Sequence, residues 1–116
     1  MILLTTTAFA ESYKIAGELV EFKTVDGLVL KGCDKTCDAL KTIKKHKKID
    51  MKSVRKGMTY PNSIGSDVCN KVYNAGSLLG VAENSDRRAF CMFKDKSMVE
   101  MNSLTTYLVD KKIVKE

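Results

Sequence analysis

Four cysteines and a single histidine are the side chains of this 116-residue sequence best suited to chemistry of their own: Cys33, Cys37, Cys69, Cys91 and His46. In an oxidising compartment an even cysteine count in a small domain reads as disulfides, and four cysteines admit three connectivities. The favoured one joins Cys69 to Cys91 and Cys33 to Cys37. The first bond closes a loop whose cross-link contributes roughly 3 kcal/mol in the chain-entropy view, and it ties a helix to the strand that covers it. The second closes almost nothing, so its value is local: it fixes a strand-to-helix corner and requires Cys33 to lie off the helix, because cysteines one turn apart on a regular helix rarely reach disulfide geometry. Alternatives use the same residues. Cys33 and Cys37 with His46, in a chain with six methionines, have ligand types that suit Cu(I), and four cysteines could hold zinc. The strand and helix order of a thioredoxin-like copper protein is absent, and no neighbouring motif lowers a thiol pKa in a predictable way. No metal or cofactor is expected.

Catalytic constellations are not expected either. His46 sits inside a lysine run, where an exposed imidazole is the simpler reading than one aligned with a nucleophile. Asp34 with Asp38, and Asp67 near Ser63 and Ser66, are explained as helix-start residues. The glycines form no phosphate-binding loop. The chain therefore reads as a non-enzyme.

Charge is the stronger signal. Lys41, Lys44, Lys45, Lys47, Lys48, Lys52, Arg55 and Lys56, offset only by Asp50, give residues 41–56 a charge of +7 in a chain of net +6. Everything else is close to neutral, so the basicity is a patch. One function for it is contact with an anionic partner such as lipopolysaccharide phosphate, acidic phospholipid or an acidic protein; the plainer one is a solvated helix face. Nucleic acid fits poorly, because no aromatics interleave for base stacking and arginine is scarce for bidentate readout.

The elements that position these residues follow from periodicity and turn chemistry. Residues 13–30 read as extended: Val20 and Phe22 alternate with Glu21 and Lys23, and Asp26-Gly27 is a hairpin turn before Leu28-Val29-Leu30. Asp34 is the expected N-cap of a helix to about Lys48, with Cys37, Leu40, Ile43 and the Lys47 stem on its buried side. Residues 49–59 read as a connection. Asn62 or Ser63 caps a second helix with Ile64, Val68 and Val72 in one stripe, closed by Asn74-Ala75-Gly76. Strands are expected over 78–83, 88–93 and 97–101, the first two joined by the polar Asn84-Ser85-Asp86-Arg87, with Phe90 and Met92 on one face and Cys91 and Phe93 on the other. Asn102 or Ser103 caps a short last helix with Leu104, Tyr107 and Leu108, before a charged tail from Lys111. The fold class is α+β: a small antiparallel sheet built from hairpins, packed by two main helices and stapled by disulfides.

The order Asn62-Ser63, Cys69, Ala75-Gly76-Ser77-Leu78, Cys91-Met92-Phe93, Asp95-Lys96-Ser97, Val99-Glu100 resembles a small bacterial cell-envelope domain of unknown role that carries a hemolysin label. The resemblance covers roughly the second half of the chain and implies a secreted or periplasmic domain, with no activity attached. Pro61 precedes Asn62, Ala75 stands for a glycine, and the usual tryptophan is missing.

Residues 1–10 are uncharged and end in Ala8-Phe9-Ala10, the small-x-small pattern accepted by signal peptidase before Glu11. They read as the remnant of a signal peptide, and residues 11–116 as one domain. A β-strand is the alternative reading of the same threonine-rich, branched segment. The functional expectation is a periplasmic or secreted interaction module that meets an anionic envelope component or protein; an inhibitor of a secreted hydrolase, or a thiol or metal-binding protein, are the alternatives.

Overall fold

Two three-stranded meanders make up the sheet. The first comprises β1 (Ala10–Ile15), β2 (Glu18–Val25) and β3 (Leu28–Lys31) in the computed structural model, which describes residues 10–33 and 36–115. Its turns have consecutive left-handed residues, Ala16-Gly17 (φ 54° and 83°) and Asp26-Gly27 (φ 53° and 82°), the geometry that matches the twist of tight hairpins. Only the second was expected; Gly17 after an alanine is a weaker turn signal than Asp-Gly. The alternation in β2 holds: Phe22 is fully buried with Val20 packed beside it, while Glu21 and Lys23 face solvent.

The second meander is β5 (Gly76–Ala82), β6 (Arg87–Met92) and β7 (Met98–Glu100). It joins the first along two seams, β1 with β5 and β3 with β7, both antiparallel. The sheet is therefore a closed six-stranded barrel in the order β1-β2-β3-β7-β6-β5, not the small open sheet expected. Closure follows from what the inner faces carry. Tyr13, Phe22 and Phe90 bring their rings to centroid distances of 4.8 to 5.4 Å, and such a cluster needs a wall on every side to leave water. Gly80 lets the wall approach: a Cβ there would lie 2.7 Å from the Phe90 ring and 2.9 Å from Ile15.

A second core lies between the barrel exterior and the helices, which are inserted between the meanders and appended after them. It contains Leu28, Leu30, Cys91 and Val99 from strands and Leu40, Ile43, Val68, Leu104 and Leu108 from helices. The predicted faces of β6 are thus both covered, Phe90 and half-buried Met92 on the barrel side and Cys91, with Phe93 just after the strand, against the helices.

The first helix, α1 (Asp38–Lys45), is shorter than expected. Its N-cap is Cys37, not Asp34, which lies outside the described residues, as do Met1–Phe9 of the signal-peptide reading; Ala10 opens β1. The helix stops before Lys47, whose side chain is exposed instead of lying against the core. The segment expected to be a mere connection contains β4 (Ile49–Asp50) and the single turn α2 (Met51–Val54), and the expected charged tail contains β8 (Val114–Lys115), paired in parallel with β4.

Next, α3 (Ile64–Asp67) is capped by Ser63, which accepts from Ser66 N–H at 3.2 Å, and it widens into a π-helical turn over Val68–Val72. That turn ends at Tyr73, whose N–H reaches back five residues to the Val68 carbonyl, and Asn74 leaves it with φ 57°. Finally, α4 (Met101–Asp110) is capped by Glu100, which accepts from the N–H groups of Asn102 and Ser103, in place of the expected Asn102 or Ser103. Ser103 instead donates its hydroxyl hydrogen to the Glu100 carbonyl. Two disulfides are present, Cys33–Cys37 and Cys69–Cys91. No helix among the described residues is long and apolar enough to cross a membrane.

Candidate functional site

The amphipathic division of α1 builds the first part of the basic surface. Ala39, Leu40 and Ile43 enter the core, so the opposite side of the helix must carry Lys41, Lys44 and Lys45, all exposed. Lys44 and Lys45 occupy the last turn, where the helix dipole favours cations. Beyond the helix Lys47 and Lys48 are exposed, Ile49 turns inward to pair with Val114, and Lys52 and Lys56 are exposed again on and after α2. Among the described residues none of these seven ammonium groups meets a carboxylate. By contrast Lys111 lies 3.6 Å from Asp26 and Arg88 lies 3.7 Å from Asp86. The one acidic residue within the run, Asp50, caps α2, accepting from Lys52 N–H at 3.0 Å and from the Ser53 hydroxyl at 3.2 Å.

Arg55 differs from the lysines. Its Nε donates to Asp67 Oδ2 at 2.9 Å and its guanidinium also donates to the Asn62 carbonyl at 3.0 Å. Asp67 is 1% exposed, so the expected patch cation serves as the counter-ion of a buried carboxylate. The two contacts have a positional effect: Asp67 ties the end of α2 to the last residue of α3, and the Asn62 carbonyl closes the base of the loop 56–61. That loop holds Tyr60 at 85% exposure. Sequence reasoning did not single out Tyr60, although a tyrosine preceding Pro61 in a polar loop is the available signal, since that backbone is held extended.

At the other end of α1 the first-turn amides are all engaged. Asp38 N–H donates to Asp95 Oδ2 (2.8 Å), Ala39 N–H to Ser97 Oγ (3.1 Å) and Leu40 N–H to Cys37 Sγ (3.4 Å). Burial works to raise the Asp95 pKa, but the hydrogen bonds from Asp38 and from the hydroxyl and N–H of Ser97 outweigh it and hold the carboxyl below its ordinary value. The Cys33–Cys37 bond, with Cα atoms 5.0 Å apart, thus belongs to a corner tied to the β6–β7 turn. Cys69 and Cys91 are wholly buried, with Cα atoms 5.9 Å apart, and link the π-helical turn to β6.

His46 does not join the cysteines. Its Nδ1 lies 3.0 Å from the Thr42 carbonyl, and its ring lies 5.4 Å from that of Tyr73. Among the described residues no three His, Cys, Asp or Glu side chains converge as a metal site would require. No family model matches the chain, and neither does any curated protein or solved structure.

A polar cleft of about 500 Å³ opens at the barrel mouth, where β1 runs past the end of β5. Glu11, Tyr13, Glu83, Asp86 and Arg88 line it. Burial, with a hydrogen bond donated to Glu11, pushes the Tyr13 hydroxyl up to about 12, so it remains protonated at neutral pH. Such a tyrosine donates a hydrogen bond and is poorly suited to act as a base. Tyr73 is also shifted upward, by burial, and its hydroxyl has no hydrogen-bond partner among the described residues.

Proposed function

We propose that this protein is a non-enzymatic interaction module of the bacterial cell envelope, periplasmic or secreted, that holds an anionic partner on its lysine surface. One observation carries the proposal: Lys41, Lys44, Lys45, Lys47, Lys48, Lys52 and Lys56 are all exposed while no carboxylate among the described residues neutralises them. Asp67 is withdrawn into a buried pair with Arg55, and the exposed Asp50 is engaged as the cap of α2. A surface of unneutralised cations attracts anions over roughly 8 Å at physiological ionic strength. The two disulfides suit an oxidising compartment, and the resemblance of residues 62–100 to an envelope domain supports the same placement.

The test is a binding titration against anionic envelope components at two salt concentrations, with the parent and with K44E/K45E/K47E/K48E. Binding should weaken with salt and be largely lost in the reversed variant, while its melt stays cooperative at a somewhat lower temperature: Lys47 and Lys48 are exposed, and reversing Lys44 and Lys45 in the last turn of α1 costs about 0.3 to 1 kcal/mol each against the helix dipole. Equal affinity of the two proteins would show that the lysines serve only to solubilise the helix.

A further inference from the structure

Resting on that reading of the lysines, we infer that the anionic partner is a phospholipid bilayer surface, and that the loop 56–61 is the part of the protein that enters its headgroup layer. The inference begins with the Arg55 clamp. A guanidinium bonded to both Asp67 and the Asn62 carbonyl draws the two ends of the loop together, so the intervening residues form a closed surface loop. The loop start is folded as well: Lys56 N–H reaches the Ser53 carbonyl, Met58 N–H reaches the Arg55 carbonyl, and Gly57 takes the left-handed φ of 82° that the turn requires.

The loop carries Tyr60, the most exposed large hydrophobic side chain described, and half-buried Met58. Lys52 and Lys56 stand at its base, one helical turn apart in sequence and both exposed. Lys56, Gly57, Thr59, Tyr60 and Pro61 are all exposed, so the loop lies on the surface almost throughout. An exposed loop that carries one amphipathic ring beside two exposed lysines matches the chemistry of an anionic bilayer: tyrosine is favoured at the level of the headgroups, and lysines are drawn to phosphate. An acidic protein would answer the lysines but gives no reason for an aromatic side chain left 85% exposed beside them, whereas a bilayer accepts it without a matching pocket.

The chain contains no tryptophan, so Tyr60→Trp supplies a single reporter at the tip. The experiment combines sedimentation with vesicles of phosphatidylcholine, with and without phosphatidylglycerol, and the emission of the Tyr60→Trp protein. Heparin serves as a soluble polyanion for comparison. The expected result is capture only by phosphatidylglycerol vesicles, with a blue shift of Trp emission and release by salt. Lys52→Glu with Lys56→Glu should weaken capture by about tenfold or more, and Tyr60→Ala should also weaken it, each with the parent's circular dichroism melt. Capture without a change in emission would overturn the loop's role. Binding to heparin but not to vesicles would overturn the bilayer and leave the anionic-partner reading standing; binding to neither would overturn both.

Discussion

Removing the Cys69–Cys91 bond should have the larger effect of the two disulfide deletions, and the size of the difference can be worked from the loops they close. A sequence separation of 22 corresponds to about 3.4 kcal/mol of denatured-chain entropy at 25 °C. The separation of 4 between Cys33 and Cys37 corresponds to about 1.9 kcal/mol. For a chain of 116 residues the unfolding entropy is about 0.24 kcal/mol per degree, so Cys69→Ala with Cys91→Ala should melt about 14 °C below the parent. Cys33→Ser with Cys37→Ser should melt about 8 °C below it, with serine retaining an acceptor for the Leu40 amide. Both sulfurs of the first pair are fully buried, so truncation also leaves a small void and makes its figure a lower bound. Thermal unfolding followed by circular dichroism, checked by urea titration, measures the shifts. A loss below about 4 °C for the Cys69/Cys91 variant, or a larger loss for the Cys33/Cys37 variant, would refute the assignment of the first bond as the main staple.

Arg55→Ala should cost about 3 kcal/mol in urea unfolding, since it strips the counter-ion from a carboxylate that is 1% exposed; Asp67→Asn in that background should recover part of the loss. Gly65→Ala should destabilise by about 1 to 3 kcal/mol, because its Cβ would fall 2.6 Å from the Met101 carbonyl oxygen and 2.7 Å from Thr105 Oγ1, whereas Gly76→Ala, with open space around it, should not. The Asp95 carboxyl should titrate below its ordinary 3.8 by NMR. A carboxyl pKa depressed in the folded state adds stability above the unfolded pKa that is lost as pH falls through the folded value, so Asp95→Asn should lower stability by a constant amount at neutral-to-basic pH and flatten the acid limb of the stability curve.

Local patterns were the legible part of the sequence. The Val20 and Phe22 alternation, the Asp26-Gly27 turn, the Ser63 cap and the two faces of β6 each depend on neighbours a few residues away, and they appear where expected. Closure of the barrel depends on β1 meeting β5 and β3 meeting β7, which no alternation encodes, because an inward face looks the same in an open sheet. The β4–β8 pairing was equally hidden: two residues on each side carry no period. Cys37 was read as a core residue of α1 because a half-cystine sulfur is an unusual cap and Asp34 offered a better one. For the candidate site, composition revealed the charge but not its sorting. Arg55 reads like its lysine neighbours until the depth of Asp67 is known, and Tyr60 acquires significance only when the loop ends are found to be tied.

The two seams of the barrel also set the order in which it can be made. Within the meanders the β1–β2 and β5–β6 ladders hold six register pairs each, and their partners are close in sequence. The seams have three pairs and two, between residues such as Tyr13 and Ala82 or Leu30 and Val99. Each hairpin can zip by itself, but ring closure must bring together segments separated by the whole helical insert, with the loop entropy lost before the contacts form. During synthesis the first meander therefore has nothing to close against until β5 and β7 emerge, and its inner face, with Phe22 and Tyr13, stays open for that interval. In the finished fold the same lines are where amide exchange should begin, and the protein would open as two intact halves swinging apart.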